Sequence, residues 1–351
     1  MVREDLIVPE GSEGRSLLSD VAEATRLAEG PEGVRRVIRT VLRRGPVPIR
    51  DVARDLGIPV PVVAAVRGEL EQRGLLTRGA GIELTEAGVR AAEGDIGLKC
   101  RRVFDRSTTE VPQDLAPVVA ALDDLSERRP AVDPSLDQSH ATSETALRRA
   151  VYLYEHDALE GRRLFFLGDD DLTSVAAGLA ARELGLGRLD IDVVDIDDRL
   201  VQFVNQTAAK EGLPIRAFQH DMRIPLPAEL MGRFDAFFTD PPYTLDGLGV
   251  FVSRGVESLV AEIGKQAFVC FGRRSPEETA GLIDRLLRSG LAPVEMLPTF
   301  NEYVGAQLLA GQSQMIRCVR SDPGRATVTE RYEGPMYTAE FRKGRSRGRT
   351  V

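Results

Sequence analysis

Two short strings carry the chemistry available to this sequence. They are Gly168-Asp169-Asp170-Asp171, after the apolar run RLFFL, and Thr239-Asp240-Pro241-Pro242-Tyr243, after RFDAFF. The first lies between a buried strand and a small-residue helix, where nucleotide-binding folds place glycines so that backbone N–H groups can approach a phosphate. Three carboxylates there repel a phosphate, which argues against NAD, FAD and ATP. Asp is a good helix cap, but one cap explains one aspartate and not three. The next strand, DIDVVDI, ends at Asp195-Ile196-Asp197, a place from which a carboxylate accepts hydrogen bonds from ribose hydroxyls. Asp221, after PIRAFQHD, is positioned for the amino edge of a base. A nucleoside without phosphates fits these features, and S-adenosylmethionine or a relative is expected. The ordinary compound would set its carboxylate against Asp169 to Asp171, and like charges at that range cost energy. Decarboxylated S-adenosylmethionine removes the conflict, leaving an amine and a sulfonium.

The second string fixes a stiff turn, because the two prolines hold Asp240 in an extended conformation at the end of its strand. Its carboxylate can then accept a hydrogen bond or a proton from an amine, and Tyr243 can stack on a flat or cationic group. The string DPPY also marks methyltransferases that act on amino groups of nucleic-acid bases. An S-adenosylmethionine-dependent nucleic-acid amino-methyltransferase is therefore the alternative reading.

Taken together, LGDDDLTS, VVDIDDRLVQFV, FDAFFTDPPYTLDGLGVFVSRG and NEY resemble the branched-chain polyamine synthases, the N(4)-bis(aminopropyl)spermidine synthases, from about Asp137 to Tyr303. The resemblance implies transfer of aminopropyl groups from decarboxylated S-adenosylmethionine to the N4 amine of spermidine, twice, with 5′-methylthioadenosine released. It implies a co-substrate and no tightly bound cofactor. Spermidine amines have pKa values near the lysine value of about 10.4, so they arrive protonated and must lose a proton to attack. On that footing Asp170 and Asp171 take the amine-facing and base roles, and Asp240 orients or deprotonates the acceptor. Gly168, Asp169, Asp195, Ile196 and Asp221 are assigned to the donor. Tyr243 lines the acceptor channel, and Glu302 and Tyr303 close it. No metal site is expected.

The elements that must position these residues follow from the pattern. After Arg163 strand and helix signals alternate, which predicts an α/β, Rossmann-like domain of methyltransferase type with a mostly parallel sheet over 141–335. Residues 1–95 read as a winged-helix domain: a helix over 33–44, a helix-turn-helix turning at Gly57 to Pro59, and a hairpin at RGAG. Residues 96–140, broken by four prolines, read as a linker. Residues 336–351 read as a basic, disordered tail. The helix from Pro61 to Arg73 mixes Arg67 and Arg73 with Glu69 and Glu71, a poor surface for tracking phosphates. This domain is accordingly expected to serve as a dimerisation element or lid. A homodimer is expected, with a polyamine as partner and neither nucleic acid nor membrane. The net charge of −8 favours a cationic ligand over a polyanion. Three distant cysteines suggest no disulfide framework, and no signal peptide or spanning segment is evident, so a cytoplasmic location is expected.

Overall fold

The computed structural model describes residues 12–105, 110–272, 274–304, 311–322 and 326–341. The chain divides into two compact units. The first runs to Val103, with Gly185–Arg188 counted in it, and the second holds Phe104–Leu184 and the chain from Leu189 onward.

Among the described residues the first unit contains five helices: α1 (Ser12–Thr25), α2 (Gly30–Arg44), α3 (Ile49–Leu56), α4 (Val60–Gln72) and α5 (Glu86–Glu93). Val34, Val37, Ile38, Val41 and Leu42 recur at helical spacing on α2 and are all buried, as an apolar stripe must be. Gly57 adopts φ 65 between α3 and α4, the left-handed turn that glycine takes without strain. Antiparallel bridges join Val47 to Ile82 and Leu76 to Leu84.

The second unit is built on a seven-stranded sheet in the order β3-β2-β1-β4-β5-β7-β6. Its strands are β1 (Arg162–Leu167), β2 (Leu189–Asp195), β3 (Ile215–Gln219), β4 (Ala236–Thr239), β5 (Gln266–Phe271), β6 (Leu291–Glu302) and β7 (Gln312–Arg320). The first five run parallel, and β7 is antiparallel to both β5 and β6. The central strands read as unbroken apolar runs because helices cover both faces. These helices are α6 (Ala116–Ser126), α7 (Ser143–Glu155), α8 (Thr173–Glu183), α9 (Asp198–Glu211), α10 (Leu245–Ser258) and α11 (Pro276–Arg288). The capping signal at Thr142 is realised, since its hydroxyl accepts the Thr145 N–H. On α10, a Cβ at Gly255 would stand 2.6 Å from the Phe237 ring, so glycine sets how closely that helix meets the sheet. The chain winds from β1 outward to β3 and returns on the other side of β1 as β4. The β1/β4 boundary is thus a topological switch point, where ligands bind beyond the carboxyl ends of strands.

Two boundaries read from the sequence are corrected. Residues 96–140 do more than link: Ile96 and Leu98 are buried in the first unit, and Leu115, Val118, Leu122 and Leu125 in the second. Three of their four prolines begin structure, Pro112 and Pro134 at short 3-10 turns and Pro117 in the first turn of α6, where its missing N–H costs nothing. Residues 336–341 are likewise structured, with Met336 and Tyr337 buried in the core, Glu340 paired to Arg223 at 2.6 Å and Phe341 exposed. The rest of the expected basic tail, 342–351, lies outside the described residues. Among the described residues no helix is long and apolar enough to cross a membrane.

Candidate active site

The aspartate loop starts at Gly168, whose φ of 76 turns the chain out of β1 while its N–H bonds to the Val194 carbonyl. Each aspartate then finds a different environment. Asp169 turns inward and caps α8, accepting the Ser174 N–H at 3.0 Å and the Ser174 hydroxyl at 2.5 Å. Burial pushes its carboxyl up to about 7 despite those donors. Asp171 is also buried, with Oδ1 accepting the Ala141 N–H and Oδ2 accepting Arg149, each at 2.5 Å. Asp170 is the one that lines the open cleft. The Ser139 N–H donates to it at 3.0 Å. Burial, reinforced by the charges of Asp171, Asp195 and Asp240, holds its carboxyl well above the usual range. Leu172 follows with φ 55, a left-handed conformation unusual for a branched side chain at the start of a helix and of the kind found at functional sites.

Beneath the loop lies Arg149 of α7, fully buried. Its Nε donates to Asn301 at 2.8 Å, one terminal nitrogen to Asp171 and Thr173, and the other to Asp240 at 2.8 Å and the Tyr303 hydroxyl at 3.0 Å. All five of its N–H bonds are thereby used. Tyr303 in turn donates to Asp240 Oδ2 at 2.6 Å, and its oxygen lies 2.9 Å from the Tyr243 hydroxyl. Burial raises the Asp240 carboxyl to about 6, with Arg149 opposing the rise.

Above this knot is an open cleft. Asp170, Asp195 and Asp240 share its lining with Gly168, Ile196 and Pro242. Asp195 accepts the N–H groups of Asp169 and Asp197 at 3.1 and 2.8 Å, and burial still pushes its carboxyl up to about 6. The other walls are Leu136, Asp137, Gln138, His220, Met222, Phe251 and Tyr337. The lining thus combines a carboxylate-rich side with an apolar and aromatic side, as a cationic nucleoside-bearing ligand requires.

Comparison with known proteins decides the family. The profile described as "Branched-chain polyamine synthase A C-terminal domain" matches residues 118–346. The N(4)-bis(aminopropyl)spermidine synthase of Thermococcus kodakarensis is 31% identical over 303 residues, covering 83% of each chain. This chain belongs to the branched-chain polyamine synthase family. An uncharacterised protein of Methanocaldococcus jannaschii is 36% identical over 311 residues, 86% of this chain and 77% of that one. Among solved structures, the branched-chain polyamine synthase of Thermus thermophilus in complex with N4-aminopropylspermidine and 5′-methylthioadenosine is similar at a TM-score of 0.58. Identity there is 27%, over 93% of this chain and 98% of that one.

Within this family member the structure brings most of the sequence-derived residues together and sets some apart. Gly168, Asp170, Asp195, Ile196 and Asp240 share the cleft. Tyr243 and Tyr303 stand behind Asp240 and touch each other. Asp169 is committed to capping α8, and Asp171 to Arg149 and the Ala141 amide, so neither lines the cleft. Asp221 accepts the N–H of Arg223 and is outside the lining. Glu302 ends β6, where its backbone bonds to Thr145 and Thr142. Sequence reading missed Arg149, Asn301 and the strap at 136–141. The signal for Arg149 was present: with Ala146, Ala150 and Leu153 it occupies the apolar stripe of α7, the wrong place for a surface arginine.

Proposed function

We infer that this chain transfers aminopropyl groups from decarboxylated S-adenosylmethionine to the N4 secondary amine of spermidine, giving the branched product and 5′-methylthioadenosine. The observation that carries the reading is the cleft of Asp170, Asp195 and Asp240 in a member of this family. Carboxylates suit a donor with an ammonium and a sulfonium and an acceptor with several ammonium groups. They oppose the ordinary donor, whose carboxylate would enter the same site, and the family match favours this reading over the nucleic-acid methyltransferase.

Each transfer needs a proton removed before attack. Secondary ammonium N4 gives one proton to the site, and its freed lone pair attacks the carbon next to sulfur. The C–S bond breaks with its electron pair going to sulfur, which leaves as a neutral thioether. The tertiary ammonium formed must again lose a proton before the second attack, which leaves a quaternary nitrogen. Asp170 is assigned the proton-accepting role, because it faces the cleft with a single protein donor and an elevated proton affinity, as a general base should have. Asp240 orients the acceptor through Oδ1, its Oδ2 being held by Arg149 and Tyr303. Asp195, with Ile196, is assigned to the ribose.

The first unit is read as a winged helix used for assembly into a homodimer. Support comes from the α3–turn–α4 arrangement with its small antiparallel bridges, and from the charges on α4. Arg67 and Arg73 pair with Glu71 at 2.6 Å and Glu69 at 2.9 Å, which leaves little positive potential for DNA. Cys100, Cys270 and Cys318 are buried and joined in no disulfide among the described residues, which fits a reducing cytoplasm. The test of the reaction is release of 5′-methylthioadenosine from purified protein with spermidine. Release with decarboxylated donor alone supports the reading, and release of S-adenosylhomocysteine from the ordinary donor contradicts it.

A further inference from the structure

We propose that Arg149 is the positioning residue of this site, bridging Asp171 and Asp240 and holding Asp240 toward the cleft, so that Asp170, which it does not touch, is left to exchange the proton. The inference rests on the aminopropyl-transfer reading above. Asp170 and Asp240 at the cleft, with Asp171 behind them, tend to share protons, as paired carboxylates do, and a shared proton would leave no defined base. Arg149 opposes this by setting its charge against Asp171 and Asp240, whose carboxyl groups lie within hydrogen-bond reach of each other. One terminal nitrogen meets Asp171 Oδ2 at 2.5 Å and the other meets Asp240 Oδ2 at 2.8 Å. The Nε bond to Asn301 and the bond to Thr173 fix the plane of the guanidinium. A lysine nitrogen, with three donors on one atom, cannot span these partners.

The tyrosines extend the arrangement. Tyr303 accepts from Arg149 and spends its one proton on Asp240, so the hydroxyls of Tyr243 and Ser313, at 2.9 and 2.8 Å from its oxygen, can act toward it only as donors. Asp240 therefore receives two donors on Oδ2, which leaves Oδ1 for the cleft. Asp170 receives nothing from Arg149. The other titratable groups facing this knot are Cys270 of β5, Asp169 beside Asp171, Asp195 at the end of β2, and Arg129 and His140 behind the aspartate loop. Burial pushes the Cys270 thiol up and His140 down to about 4, so both are neutral at working pH. Arg149 is the cation that contacts both Asp171 and Asp240.

The experiment uses full-length Arg149→Gln, Arg149→Lys and Tyr303→Phe, with 5′-methylthioadenosine release measured from about pH 5 to about pH 9 and circular dichroism as the fold check. Without the guanidinium the carboxylates take up their first proton at higher pH, so the acid limb of kcat in Arg149→Gln moves up by about one to three pH units. Arg149→Lys recovers part of that shift, and Tyr303→Phe moves the limb the same way by less. A merely structural role would lower activity equally at every pH. An unmoved limb in a folded Arg149 variant overturns the inference. If neither Arg149 variant folds, Tyr303→Phe decides it, with a raised limb in support and an unmoved one against. A wild-type protein that releases no 5′-methylthioadenosine overturns the underlying reaction instead.

Discussion

Replacing Asp170 with Asn separates base from scaffold more cleanly than any other change. The Ser139 N–H is the donor to this carboxylate, and the amide oxygen of Asn can accept it, so the loop keeps its hydrogen bond. Loss of a general base costs about 10²- to 10⁴-fold in rate, or about 3 to 5 kcal/mol of barrier. Stability should move the other way. The folded-state pKa of Asp170 is raised by burial and by neighbouring carboxylates, so wild-type stability falls as pH rises from the unfolded value, near 3.9, toward the folded one. Asn never ionises and escapes that loss. Asp170→Asn should therefore melt at or above the wild-type temperature at neutral pH, with the gain vanishing toward about pH 4. Asp171→Asn is the control. It deprives buried Arg149 of a charged partner at 2.5 Å, and breaking a buried pair costs about 3 to 5 kcal/mol. Single-turnover release of 5′-methylthioadenosine and calorimetric melting read both effects. If Asp170→Asn turned over within about threefold of wild type, far short of the loss expected for a general base, or melted as low as Asp171→Asn, the division of labour in the aspartate loop would be wrong.

Substrate affinity should depend on pH, because Asp195 on the donor side and Asp240 on the acceptor side, both pushed up to about 6 by burial, hold their ligands best when ionised. Affinity rises with pH through about 6 and levels above it, by up to about tenfold per pH unit for each group; titration calorimetry showing equal affinity at pH 5 and pH 7 would contradict this. Asp195→Ala should raise the KM for the donor by about tenfold or more while leaving that for spermidine nearly unchanged, since a lost charged hydrogen bond is worth about 1.5 to 3 kcal/mol; steady-state kinetics varying each substrate in turn reads it. Gly255→Ala should destabilise the second unit by about 1 to 3 kcal/mol through overpacking against Phe237, 2.6 Å from the new methyl group, as denaturant unfolding would show. If α4 does not bind DNA, heparin retention should be weak and nearly independent of salt.

The catalytic half was legible because its signals are local. Alternating apolar strands and helices gave the parallel sheet, and strand-end aspartates announced a cationic ligand before any comparison. The proline count misled at 96–140, where prolines that open helices look the same in sequence as prolines that break chains. Composition misled at 336–341, because two buried residues, Met336 and Tyr337, are too few to show periodicity beside a basic run. Asp169, Asp170 and Asp171 are chemically identical in sequence. Only the fold gives one to a helix cap, one to the cleft and one to an arginine, and that arginine lies 22 residues away from Asp171.

The most direct test of aminopropyl transfer to N4 is tandem mass spectrometry of the polyamine formed from spermidine and decarboxylated S-adenosylmethionine. The predicted result is a product heavier by one and then two aminopropyl groups, with fragments that place every addition on the central nitrogen. A linear product extended at a terminal amine, or spermidine left unchanged while wild-type protein is folded and both substrates are present, would contradict it.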